Sequence, residues 1–417
     1  MNSKFFWGAS TSSHQVEGGN LNNWTVFEKE NAKELSLKST LKFSQLSQYR
    51  RLKKEIKNPQ NYISGIGADH YHLYKDDIKL MEKLGLNAYR FSIEWSRLEP
   101  IEGEFDISEI KHYQQLIDEL RKKGIEPIVT LWHFALPVWF EKKGGFAKLE
   151  NIKIFARYCR TLAKSLRGVN YYLTINEPNI YASQSFLYGN WPPQVINPLI
   201  ALNVYQNLKV AHKLAYKKIK EHNPKIKISI AHNVCYFEPD GNKFYNCLLS
   251  KIYSSYWNHD FIKSIRNELD FIGLNFHFHN KINWGRVKND GKKLSDLGWE
   301  LKPESLYDVL LDLKKYDLPI MVCENGLADD RDKYRSRFIK KSVEAVKKAL
   351  KNQVQIFGYL HWSLLDNFEW DKGYWPKFGL IKINFKNKQR VIRKSAYLYL
   401  KLIRDYCDLS KKKNLLR

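Results

Sequence analysis

The run Tyr171-Tyr172-Leu173-Thr174-Ile175 passes directly into Asn176-Glu177-Pro178, and that junction decides how the rest of the chain is read. A short apolar run bounded by a turn signal reads as a buried strand. A carboxylate at the far end of such a strand is costly to desolvate and has no packing role. The pattern returns where Ile320-Met321-Val322-Cys323 gives way to Glu324-Asn325-Gly326. Two glutamates placed alike point to paired carboxylates doing acid, base or nucleophilic work. The competing reading is a pair of salt-bridged strand ends.

Working outward, strand-like runs occur at Phe5–Ser10, Ala88–Ile93, Pro127–Trp132, Tyr171–Ile175, Ile226–Ala231, Phe271–Phe276, Ile320–Cys323 and Val354–Trp362. Amphipathic stretches lie between them. Asp76–Leu84 carries Ile78, Met81 and Leu84 at helical spacing and stops at Gly85, and Ile107–Leu120 stops before Gly124. Alternating strands and helices imply a parallel sheet. Roughly eight such units predict a closed (β/α)₈ TIM barrel, because an open sheet would leave long apolar edges. The strand ends of a barrel converge on one mouth. Gln15, Arg90, His133, Glu177, Asn275, Glu324 and Trp362 all stand at or just beyond such ends. So many polar, charged or indole groups directed at one mouth form a site.

No Pro/Gly/Ser-rich linker, repeat or low-complexity stretch divides the 417 residues, so a single domain over 1–417 is expected. Two parts stand aside. An insertion, Glu28–Gly67, separates the first strand from the first helix. In it Leu46, Tyr49, Leu52 and Ile56 predict a short amphipathic helix on the barrel rim, with a membrane or partner face as the lesser alternative. The second is a basic tail over 408–417, read as a frayed end.

The net charge of +25 invites a polyanion partner, but the lysines are spread over nearly every predicted helix, as in Lys213 to Lys220, and read as solvated faces. No specific nucleic acid is expected. Five cysteines, odd in number and in no CxxC pattern, fit a reduced compartment. Cys323, alternating to the strand face opposite Glu324, is read as packing. The N-terminus lacks an apolar signal region, and no stretch approaches the ~20 apolar residues of a bilayer span. A cytoplasmic, soluble protein with no membrane partner is the expectation. The 12 Trp, 25 Tyr and 22 Phe suit sugar or base stacking, though they are also ordinary core residues. Sequence does not set the oligomeric state.

Taken together, these motifs resemble glycoside hydrolase family 1, the retaining β-glycosidases. The resemblance covers Phe5 to about Ala396 and is weakest across Glu28–Gly67. It rests on Phe6-Trp7-Gly8-Ala9-Ser10 through Gly18, Asp69-His70-Tyr71-His72-Leu73-Tyr74, and Asn87 through Arg97. Thr174–Pro178, Asp270–Asn275, Glu324-Asn325-Gly326, His361–Trp370 and Phe378-Gly379-Leu380 complete it. The resemblance implies Glu177 as acid/base, Glu324 as nucleophile and Arg90 as the group holding Glu324 ionised. It implies that Gln15, His133, Asn176, Asn275, Glu369 and Trp370 surround the hydroxyls of the non-reducing sugar, that Trp362 is its stacking platform, and that Phe378 lines the pocket. The implied activity is hydrolysis of a terminal β-D-glucoside, galactoside or fucoside, with small β-glycosides as partners and no cofactor or metal. Transglycosylation through the same intermediate and a catalytically silent sugar-binding barrel are the alternatives.

The chain departs from the family pattern twice. Phe134 follows His133 where the family has Trp, which removes an indole donor. His277 follows Phe276 where the family has a tyrosine that donates to the nucleophile; an imidazole N–H can do the same. His277-Phe278-His279 also admits a metal reading, since alternate strand residues share a face, but the chain shows no further ligand set. A carboxylate at Glu369 would repel a 6-phosphate.

Overall fold

The computed structural model describes residues 5–415, with side chains through 407. Eight strands form the core of the fold: β1 (Phe6–Ser10), β2 (Ala88–Ser92), β3 (Glu126–Trp132), β4 (Tyr171–Asn176), β5 (Lys227–Pro239), β6 (Ile272–Asn283), β7 (Ile320–Asn325) and β8 (Ile356–Trp362). Neighbours pair in parallel in chain order. β1 also pairs with β8, from Phe6 against Gly358 to Ser10 against Trp362, and the ring closes as the sequence predicts.

At the N-terminal end the barrel is filled by Ala88, Ile128, Leu173, Ala231, Phe271, Met321 and Leu360, all buried and in mutual contact. This layer is packed core. Toward the other end the inward residues turn polar, as in Ala88 followed by Arg90 on β2. The strands also lose strict register there. Irregularities fall between Leu173 and Asn176 on β4, between Leu274 and Asn275 on β6, and between Val322 and Asn325 on β7. Such bulges re-aim side chains beside active sites. Cys323 packs, as read from the sequence, but on the barrel interior with Met321 two residues before it, so alternation holds as far as Cys323. The slip between Val322 and Asn325 is what brings Glu324 to the inner face beside it rather than to the opposite one.

Strands β5 and β6 run past the ends expected for them. Beyond Val234 they keep pairing, Tyr236 with His279 through Pro239 with Ile282, as a two-stranded ribbon. The insertion also differs from expectation. The short helix is there as α2 (Tyr49–Ile56), with Leu52 and Ile56 buried, but a 21-residue helix, α1 (Asn23–Phe43), precedes it. Asn22 caps α1 with a reciprocal bond to Thr25. Its inner face includes Glu28, Ser36 and Ser39 beside Trp24, Phe27 and Leu35. Glu28 is taken up by His14 Nε2 at 2.7 Å and by Ser64, whose backbone N lies at 2.8 Å. Those buried polar groups hide the helical period.

The last helix runs Lys394–Leu415. The side chains of the basic tail expected over 408–417 lie outside the described residues. Among the described residues no helix is long and apolar enough to cross a membrane.

Candidate active site

Glu324 ends β7 inside the mouth. On β2 beside it, the wholly buried Arg90 spends its guanidinium on three acceptors: Nη1 on Glu324 Oε1, Nη2 on Asn176 Oδ1 at 2.8 Å, and Nε on Thr130 Oγ1 at 2.9 Å. A buried cation so fully paired fixes its partner's charge. Burial alone would raise the Glu324 carboxyl, but the Arg90 charge and a bond from His277 hold it at about 2.

His277 Nε2 lies 3.3 Å from Glu324 Oε2, and its Nδ1 lies 3.3 Å from the Gly326 carbonyl. Both bonds are long. Because both ring nitrogens face acceptors, the ring donates twice only as an imidazolium. Burial pushes its pKa down, but the Glu324 bond and charge, the Glu177 charge and the Gly326 carbonyl together lift it above the ordinary value.

Glu177 leaves β4 at φ +39, a left-handed turn before Pro178 that swings its side chain across the mouth. Its Oε1 accepts from Asn233 Nδ2 and Asn275 Nδ2, both at 2.9 Å. Oε2 is left to carry a proton. Burial first, and the negative charge of Glu324 second, raise its pKa. One oxygen of Glu177, one of Glu324 and a ring nitrogen of His277 lie within 4.8 Å of one another. The two carboxyls are thus brought together with their pKa values pushed apart, Glu324 downward and Glu177 upward. These atoms could also enclose a metal ion, but the His277/His279 pair read from the sequence does not form: His279 turns toward Glu238, 3.7 Å away on the β5 ribbon.

Above the pair lies a cavity of about 580 Å³. His133, Phe134, Asn176, Trp362, Glu369, Trp370 and Phe378 line it, together with Glu177, His277 and Glu324. Gln15, Arg90 and Asn275 sit behind that lining and set it. Gln15 Nε2 donates to the Phe368 carbonyl at 2.7 Å and to Glu369 Oε2 at 3.3 Å, while Asn275 Nδ2 bridges Asn176 and Glu177. His133 lies face to face with Trp362 and Trp370, ring centres 5.8 and 5.9 Å away. Burial drives its pKa to about 3, so it is a neutral ring, bonded to Asn176 at 3.1 Å. Phe134, at φ +69, packs into Trp191 and Trp370 rather than offering a donor. Glu369 faces the cavity, and burial pushes its carboxyl up to about 8.

Sequence reasoning missed Asn233, which belongs to β5 beyond the end assigned to that strand. It also missed Lys42 and Phe43 at the end of α1, and Trp299, whose ring faces both His277 and Phe378 at 6.1 Å. A polar residue two places past a strand end was the available signal for Asn233. None pointed to α1.

The family model for glycosyl hydrolase family 1 matches residues 1–266 and 259–406. The chain belongs to that family. It is 30% identical to the 1,4-beta-D-glucan glucohydrolase of Thermotoga neapolitana, over 96% of this chain and 97% of that one. Among solved structures, the beta-glycosidase from Pyrococcus horikoshii superposes with a TM-score of 0.83 at 33% identity, covering 95% of this chain and 93% of its own. The beta-glucosidase from Thermotoga maritima in complex with glucoimidazole does so with a TM-score of 0.84 at 28% identity, covering 96% and 98%. This family 1 member is therefore a glycoside hydrolase, and its cavity is where family and geometry meet.

Proposed function

We propose that the chain is a retaining exo-β-glycosidase that removes a terminal non-reducing β-D-glycosyl residue from small unphosphorylated glycosides in two displacements. The observation that carries this reading is the approach, within 4.8 Å, of an oxygen of Glu324, whose pKa is held down, to an oxygen of Glu177, whose pKa is raised. Retaining pairs stand ~5–5.5 Å apart, too close for a water to sit between carboxylate and sugar.

In the first step a Glu324 oxygen attacks the anomeric carbon while Glu177 gives its proton to the departing aglycone oxygen. The bond to the aglycone breaks as the ester bond to Glu324 forms. The ester carries no charge, so the part of the upward push on Glu177 that comes from Glu324 is gone and its pKa falls. As a carboxylate it then takes a proton from water, whose oxygen replaces Glu324 at the anomeric carbon. Arg90 and His277 are the donors that keep Glu324 ionised between turnovers. Trp362 and Trp370 offer apolar faces to the ring, and His133, Asn176 and Glu369 offer polar groups to its hydroxyls, with Gln15 behind them holding Glu369. Glucose, galactose and fucose differ by one hydroxyl group or its orientation, and all three remain candidate glycones.

A panel of chromogenic aryl β- and α-glycosides tests this directly. Release from β-anomers alone, with retained configuration by proton NMR, is the expected result. Release from α-anomers, or an inverted first product, would overturn it.

A further inference from the structure

One helix on the mouth side is built inside out. Phe244–Ser254 buries Asn246 and Ser250. Phe244, Leu248 and Ile252 face solvent, 80%, 45% and 52% exposed. Their four-residue spacing makes one stripe along the helix. Tyr256, 58% exposed, extends it.

The stripe continues onto a second element. Trp284 is 68% exposed at the tip of the tight antiparallel turn that follows β6. Its φ of +50 is a backbone conformation that bulky side chains avoid. The turn is tied to the helix: the Trp284 ring stacks on Tyr245 with centres 4.0 Å apart, the Trp284 backbone N–H donates to Asn246 Oδ1 at 3.0 Å, and Tyr253 donates to the Gly285 carbonyl at 2.7 Å. Single exposed apolar residues are ordinary on any surface. A contiguous patch across two interlocked elements marks a contact surface.

Charge selects what it contacts. The nearby acids are already engaged, Asp240 and Asp290 by Lys281 and Asp260 by Lys209. Lys243, Lys251, Arg286 and Lys288 are exposed around the patch and pair with no carboxylate among the described residues. A second copy docking here by two-fold symmetry would set these cations against themselves, on a chain that already carries +25. An anionic bilayer accepts both features: apolar side chains enter the headgroup boundary, cations meet phosphate, and Trp and Tyr prefer that interface.

We propose that this face seats the enzyme peripherally on an anionic lipid bilayer. The sequence expectation of no membrane partner rested on the lack of a span, which such seating does not need. The proposal stands independently of the glycone and of the roles of Glu177 and Glu324.

The test is co-sedimentation of the full chain with vesicles of phosphatidylcholine alone and of equal parts phosphatidylcholine and phosphatidylglycerol, at low and high salt. The wild type should pellet with the anionic vesicles at low salt and with neither at high salt. Leu248→Ser/Ile252→Ser/Trp284→Ser should weaken that binding tenfold or more while hydrolysis of a soluble aryl glycoside is unchanged. Lys243→Glu/Lys251→Glu should weaken it similarly. No pelleting of the wild type, or unchanged pelleting of the serine variant, would overturn the proposal. So would a sedimentation-velocity dimer that the serine variant abolishes, since the face then belongs to a second copy.

Discussion

The two ends of the barrel are made from the same strands and do opposite work. At the N-terminal end Ala88, Leu173, Phe271 and Met321 meet in an apolar layer that excludes water. A few residues further along, the same strands present Arg90, Asn176, Asn275 and Glu324, tied to one another by buried hydrogen bonds. Loss of a side chain in the first layer costs packing. Loss in the second leaves a charge or dipole unpaired in a dry site. Packing and chemistry are thus separated along the strand axis, within one sheet.

The sharpest way to break this division is at Glu324. Glu324→Gly should lower turnover by on the order of 10⁴-fold or more, and it should also lower Tm, because the buried Arg90 loses its carboxylate rather than because packing is lost. Azide should restore activity with an α-configured glycosyl azide as product. Near-wild-type activity without azide would remove Glu324 from the chemistry.

Glu177→Ala should cost about 10²–10⁴-fold on substrates with poor leaving groups. With a dinitrophenyl glycoside, formation of the glycosyl-enzyme should survive and its hydrolysis should slow, visible as a burst. Equal losses on both substrates would deny Glu177 the acid role.

Leu173→Ala, in the apolar layer, should destabilise folding by about 2–5 kcal/mol and leave kcat/KM of the folded enzyme unchanged. A fall in kcat/KM with little change in Tm would erase the distinction between the two ends.

His277→Phe keeps ring volume and removes the donor. A charge-assisted bond is worth about 1.5–3 kcal/mol, so kcat/KM should fall at most roughly ten- to hundredfold. The Glu324 carboxyl is held at about 2 partly by that bond. Without it the pKa rises, and the acidic limb of the pH–rate profile should move to higher pH. His277→Tyr should recover most of the loss. An unmoved acidic limb would leave His277 a bystander.

The smallest effect concerns Glu369. With its carboxyl pushed up to about 8, the group is largely neutral below that pH and ionised above it. Discrimination against a 6-phosphorylated glycoside should therefore increase as the pH passes upward through that value. The ratio of kcat/KM for the two substrates, one pH unit below and one above, reads this. A flat ratio would mean that Glu369 does not face the 6-position as a charge.

Much of this was legible in the chain. Two strand ends are marked by an apolar run meeting a turn residue, which singles out Glu177 and Glu324, and the alternation of strands and helices places Arg90 and Asn275 at the same mouth. The alternation of strand and helix periods does the same for the barrel, because burial of one face sets the period of each element. Three things were not legible. Helix α1 hides its period because Glu28, Ser36 and Ser39 are buried against partners distant in sequence. Asn233 joins the site because β5 keeps pairing with β6 past the expected end. Glu324 shares the inner side with Cys323, against strict alternation, because the register slips between Val322 and Asn325 on β7. A local pattern of apolar and turn residues suffices to mark the carboxylates at the ends of β4 and β7. The resemblance chooses Glu324 as the ionised one, and the cause of that choice lies in the folded barrel. That choice depends on Arg90 and His277 meeting Glu324 from other strands, across 234 and 47 residues of chain.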